Sequence, residues 1–388
     1  MLRRRAAARG IGGAAEGGPA GRPRLYALDG MRLFAALSVV SFHWAAYVDV
    51  SGVWEGVTPK DALPLLNRVA AYGWLGVELF FVISGFVICM SCWGKRPGEF
   101  FVSRVVRLYP GYWVGVLLTG FVVLTFKEYA RTFAAKGLHV DTVLANLTML
   151  QEPLGLRHVD GVYWTLWVEM RFYLLFALVV ATGLTYRRVV AFCGIWTILA
   201  VLAPQAGIPL LATIAMPDGA PFFIAGVAMF LMYRFGQNLL LWGIVGFSWI
   251  LALSRLRHLR EVYVEVLGHG LSWYVMAAAV TAAFGLVLGA ALGLFDRIQW
   301  KRLTVAGALT YPLYLIHQEI GWTVIHVLRL NRVGVAAALG ITLVLVLLTA
   351  WTIHRVVERP VSGLLKNALD RSMATLRRAS DEPPALGS

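Results

Sequence analysis

Arg32 and His43 stand 11 residues apart in "LDGMRLFAALSVVSFHW", a stretch apolar enough to sit in a lipid bilayer. At 100° per residue this spacing returns both side chains to one helix face, about 20° out of register and about 16 Å apart along the axis. Asp29 precedes Arg32 by one turn on nearly the same face. Ionisable groups in hydrocarbon are expensive and mark functional positions. An imidazole can take and return a proton near neutral pH, and a guanidinium holds phosphate or carboxylate through a planar fork of donors.

Other apolar runs carry matching groups. Counted at about 1.5 Å per residue, His43 lies about 21 Å, Glu169 about 18 Å and His317 about 19 Å above one membrane face, with Glu78 at about 22 Å. These side chains therefore fall in one layer. Glu319 points about 200° away from His317, and His326 reaches the far end of its run; both read as structural. In "FFVSRVVRLYPGYW", Arg104 and Arg107 are one turn apart and suit a phosphate, although the same pair also satisfies the positive-inside rule. Pro110 should bend the helix just above them.

The elements that must position these groups are membrane helices. Of 388 residues, 59% are hydrophobic and 14% charged, with a mean hydropathy of +0.70. Runs of about 20 apolar residues without strict alternation predict helices rather than a barrel. The expectation is an all-α integral membrane protein, a bundle of about ten transmembrane helices: 28 to 48, 73 to 93, 105 to 126, 161 to 182, 188 to 204, 219 to 236, 238 to 254, 271 to 294, 304 to 330 and 332 to 357. Residues 1–27 read as a disordered basic tail, 28–360 as the membrane domain and 361–388 as a C-terminal tail.

The net charge of +14 is gathered in short loops and at the chain ends, which argues against nucleic acid and for both termini in the cytoplasm. Arg255, Arg257 and Arg260 run against that placement. No cleaved signal peptide is expected; the first helix serves as the targeting signal. Segment 127 to 160 contains "LANLTML", which suits a re-entrant or interfacial helix, and "MPDGAP" at 216 to 221 suits a helix interruption or a loop. Cys89 and Cys92 form a CxxC without a second pair, so they read as packing residues and no metal is expected.

Six motifs in order resemble membrane acyltransferase family 3, bacterial enzymes that include O-antigen, exopolysaccharide and macrolide acyltransferases. They are the opening helix with its Arg, ten residues and His; "GVELFFVISGFVI" at 76 to 88; "SRVVRLYPGYW" with its RxxR; "YWTLWVEMRFYLLF" at 163 to 176; "LTYPLYLIHQEIG" at 309 to 321; and "VERP" at 357 to 360. Glu78 stands where the family often has Asp, and the fused esterase-like domain of some members is not in this sequence.

The resemblance implies an acyltransferase of the bacterial cytoplasmic membrane that moves an acyl group, commonly acetyl from acetyl-CoA as co-substrate, to a hydroxyl of a cell-envelope or exported glycan. No tightly bound cofactor is implied. In that reaction His43 fits a general base and Glu169 a group that orients the imidazole or binds the acceptor. Arg32, Arg104 and Arg107 fit the coenzyme A phosphates, and Asp29, Glu78, Tyr314 and His317 line the pocket. The rival is a secondary transporter of a lipid-linked sugar or proton-coupled solute, since carriers also use intramembrane His and Glu; many carriers show inverted repeats, and none is visible here.

Overall fold

The computed structural model describes residues 25–47, 52–130 and 137–381. The expected N-terminal tail lies, up to residue 24, outside the described residues. The fold is a bundle of helices, with no strand among the described residues. Eight helices are long and apolar enough to cross a membrane.

Helix α1 (Tyr26–Ser41) runs into a π-helical turn, Phe42–Ala46. Two short helices, Pro59–Ala62 and Pro64–Ala70, lead to α2 (Gly76–Cys92) and α3 (Pro97–Thr125). After α4 (Val140–Asn146) come α5 (Trp164–Ala181), α6 (Tyr186–Ala206), α7 (Pro209–Ala215) and α8 (Ala220–Phe235). The chain continues through α9 (Leu239–Leu267), α10 (Trp273–Ala291), α11 (Arg302–Ile316), α12 (Glu319–Leu330) and α13 (Val335–Thr352). A second π-helical turn, Ile353–Glu358, joins α13 to α14 (Arg359–Asp381), so helix passes straight through residue 360.

Glycine lets the central helices touch. A Cβ on Gly85 would lie 2.1 Å from the Phe223 carbonyl oxygen, and one on Gly226 would lie 2.0 Å from that of Val82. Helices α2 and α8 therefore meet backbone to backbone, as small residues allow in membranes. Phe223 stacks on Phe172 at 4.4 Å and on Phe81 at 4.7 Å, tying α5 to this pair. Gly307 on α11 makes room for a side chain of α1: a Cβ there would stand 2.6 Å from Asp29 Oδ1.

The structure departs from the expected spans at several places. The run 304 to 330 is two helices, broken at His317 and Gln318. Side chains supply partners at the break: Trp44 Nε1 donates to the His317 carbonyl, and the Glu319 amide donates to Asp160 Oδ2. The 200° offset counted between His317 and Glu319 assumed one continuous helix and does not survive the break. The run 238 to 254 continues as helix α9 to Leu267, so Arg255, Arg257 and Arg260 lie on that helix, whereas the run 219 to 236 coincides with α8, behind a turn in which Met216 takes a left-handed φ of 48°.

Part of segment 127 to 160 re-enters the bundle. Val143 packs on Gly120, the Leu147 carbonyl accepts from Trp113 Nε1, and the Thr148 carbonyl accepts from the Tyr109 hydroxyl. Tyr109 lies about 24 Å below the end of α3 at 1.5 Å per residue, so the segment descends far along that helix. Asn146 holds its two limbs together, donating to the Arg157 carbonyl and accepting from the Val159 amide. Leu144, Leu150 and Leu154 are exposed on it, which fits a lipid-facing surface, and its irregular backbone is hydrogen-bonded as a membrane interior requires.

Candidate functional site

Helices α1, α2, α3, α5 and α11 enclose a cavity of about 460 Å³. At one end stand Arg32 from α1 and Arg104 and Arg107 from α3, all in its wall. Arg32 Nη1 is 3.9 Å from Asp29 Oδ1. Arg104 donates from Nη2 to Ser91 Oγ at 3.1 Å and from Nε to Ser103 Oγ at 3.2 Å, and its guanidinium lies 5.7 Å from the Tyr173 ring centre. The Arg107 guanidinium lies 5.7 Å from that of Tyr311. Three cations thus converge in a partly desolvated space, where charge-assisted bonds to an anion are strong.

Pro110 shapes this end of α3. Proline lacks the amide that would bond the Val106 carbonyl, and the Ser362 hydroxyl donates to that carbonyl instead, at 3.0 Å. The Tyr311 hydroxyl similarly reaches the Leu108 carbonyl at 3.0 Å. These bonds tie α3 around Pro110 to α14 and α11, beside the two arginines.

Further along the cavity Glu169 Oε1 accepts from the Ser84 hydroxyl at 2.7 Å. At the opposite end the Thr165 hydroxyl donates to the Val162 carbonyl at 2.9 Å. Its oxygen is then the acceptor for the Tyr314 hydroxyl at 2.8 Å. Behind Tyr314 sits His317, with ring centres 5.5 Å apart.

His317 meets His43. Its Nε2 is 3.1 Å from His43 Nδ1, and its Nδ1 is 2.8 Å from the Tyr314 carbonyl. His43 Nδ1 is also 2.9 Å from the Val39 carbonyl. The π-helical turn displays His43, a distortion frequent at functional sites, and Trp322 Nε1 fastens the turn by donating to the His43 carbonyl at 2.9 Å. His317 is fully buried, whereas His43 is only partly so.

The structure therefore brings Asp29, Arg32, Arg104, Arg107, Glu169 and Tyr314 to one cavity and joins His43 to His317 beside its Tyr314 end. Glu169 bonds Ser84 across the cavity, and the ring partner of His43 is His317; the expected Glu169 contact with the imidazole is replaced by a second imidazole. Glu78 lies apart from this cavity wall, buried in the first turn of α2, within electrostatic range of Tyr263 and Asp218. Cys89 and Cys92 are buried, and Cys92 Sγ donates to the Ile88 carbonyl. His326 is buried between the Tyr129 carbonyl and Glu55 Oε1 rather than reaching out of the bundle.

Sequence reasoning passed over Ser84, Thr165, Tyr173 and Tyr311. Tyr173 had a signal, since it follows Glu169 by four residues on the same helix face. Ser84 and Thr165 had none, because a lone hydroxyl in an apolar helix usually bonds its own backbone.

A family model described as an acyltransferase domain matches residues 25–355. The chain is 25% identical to the acyltransferase MdmB of Streptomyces mycarofaciens over 94% of this chain and 98% of that protein. It is 26% identical to nodulation protein 10 of Rhizobium leguminosarum bv. viciae over 76% of this chain and 83% of that one. It is 25% identical over 40% of its length to Bacillus subtilis YrhL, named as a peptidoglycan O-acetyltransferase, of which 24% is covered. No solved structure matches the chain.

Proposed function

We infer that this chain, which belongs to the acyltransferase family matched over residues 25–355 and is a multi-pass membrane acyltransferase, takes acetyl from acetyl-CoA and gives it to a hydroxyl of a bacterial envelope glycan. The observation that carries the reading is the cavity itself, which leads from three arginines to Tyr314 beside the histidine pair. Arg32, Arg104 and Arg107 bind the donor's phosphates on the cytoplasmic side of the inner membrane, where the positive-inside rule puts them. The rise from Arg32 to His43, about 16 Å, suits the reach of an extended pantetheine arm.

His43 removes the proton of the acceptor hydroxyl as the oxygen attacks the thioester carbon. The new C–O bond forms, the C–S bond breaks, and the proton carried by His43 goes to the departing thiolate. Glu169 and Ser84 lie along the path of the arm, where they can accept its amide and hydroxyl protons. The glycan approaches from the far side, toward the partly exposed face of His43.

The test is acyl incorporation and coenzyme A release with purified protein, acetyl-CoA and an envelope-glycan extract, beside His43→Ala. Incorporation that depends on His43 supports the reading. A folded protein that neither binds nor consumes acetyl-CoA overturns its donor.

A further inference from the structure

Both nitrogens of one imidazole and one of the other have assigned neighbours. A carbonyl oxygen only accepts, so His317 Nδ1 carries a proton and donates it to Tyr314 O at 2.8 Å. In a neutral ring Nε2 then holds a lone pair. That lone pair is 3.1 Å from His43 Nδ1, which also faces the Val39 carbonyl at 2.9 Å. Two acceptors around one nitrogen require that His43 Nδ1 carry the proton, which leaves His43 Nε2 bare.

We propose that His317 is the positioning residue of the reaction: beside the Val39 carbonyl, which fixes the Nδ1–H tautomer, it orients the His43 ring and stabilises the positive charge that develops on it, in place of a carboxylate. The proposal rests on the reading of His43 as the base. When Nε2 takes the acceptor's proton, the His43 ring becomes cationic, and its Nδ1–H bond to His317 becomes charge-assisted and stronger. Neutral His317 adds no buried charge while the site waits, whereas an unpaired carboxylate in hydrocarbon would be expensive.

Several contacts hold His317 in place. Trp44 binds its carbonyl at 2.8 Å, Tyr314 packs on its ring, and the helix break just after it frees the chain to turn there. His317 is buried, so its role is to hold and tune His43 rather than to touch substrate.

The test compares wild type, His317→Gln and His317→Leu in the acetyl-transfer assay, with acetyl-CoA binding and thermal unfolding measured on the same preparations. Gln can present an oxygen near the Nε2 position, whereas Leu fills the space without an acceptor. Leu is expected to lower kcat about 10- to 100-fold, the scale of losing one charge-assisted bond while Val39 still holds the tautomer, with the donor KM within about twofold. Gln is expected to recover most of kcat. Wild-type kcat in the Leu variant, or equal loss in both variants, overturns the role of His317 while leaving acyl transfer standing. Absence of transfer by wild type overturns both.

Discussion

Replacing Arg104 and Arg107 together by Gln tests the donor end of the cavity. Arg104 has five N–H donors and gives two to Ser91 and Ser103, which leaves three for a ligand. Arg107 lies over Tyr311 at the cavity wall. A charge-assisted hydrogen bond contributes about 1.5–3 kcal/mol. Two such arginines would give about 3–6 kcal/mol if fully desolvated; solvent at the cavity mouth reduces this to about 2–4 kcal/mol. The dissociation constant for acetyl-CoA should therefore rise roughly 30- to 1000-fold. Calorimetry or labelled-ligand binding in nanodiscs measures it directly, and rising salt should weaken the wild type more than the variant. Coenzyme A lacking its 3′-phosphate adds a comparison that identifies which phosphate the pair holds. An unfolding midpoint equal to wild type shows that the fold has survived. A folded double variant that binds acetyl-CoA within twofold of wild type refutes the reasoning and returns both arginines to topology.

His43→Ala should lower transfer by about 10²- to 10⁴-fold, the usual contribution of a general base, with acetyl-CoA binding unchanged by calorimetry. Gly226→Val should destabilise the fold by more than the roughly 1–3 kcal/mol of ordinary overpacking, because its Cβ would meet backbone; a wild-type unfolding midpoint in detergent would contradict the close approach of α2 and α8. Tyr109→Phe with Trp113→Phe removes two bonds that hold the re-entrant backbone, at about 1–3 kcal/mol each, and should speed amide exchange across 140–150 while exchange elsewhere stays the same.

Arg32, His43, Arg104 and Arg107 were legible because helical spacing is local. A count of residues fixes which face a side chain takes, and charge in an apolar run announces itself. Depth counting also put His43 and His317 in one layer, and they meet at 3.1 Å. The same count placed Glu169 at that height, yet Glu169 bonds Ser84 in the cavity. The difference is one of height: Thr165 meets Tyr314, Glu169 lies one turn, about 6 Å, from Thr165 toward the arginines, and His317 lies one turn beyond Tyr314 on the other side, an offset that a count from uncertain helix ends does not resolve. The break at His317 was hidden for another reason. "LTYPLYLIHQEIG" reads as uninterrupted helix with a tolerated proline, and what allows the interruption is remote: Trp44 from α1 and Asp160 from before α5 serve the groups it frees. A buried backbone group without a partner would be costly in a membrane, so the break and those two distant side chains imply one another. Trp44 follows His43 in the chain and binds the carbonyl of His317, so the residue that secures the break also fastens one imidazole's backbone to the other's. The short segment that displays the base therefore also fixes the position of the ring that faces it.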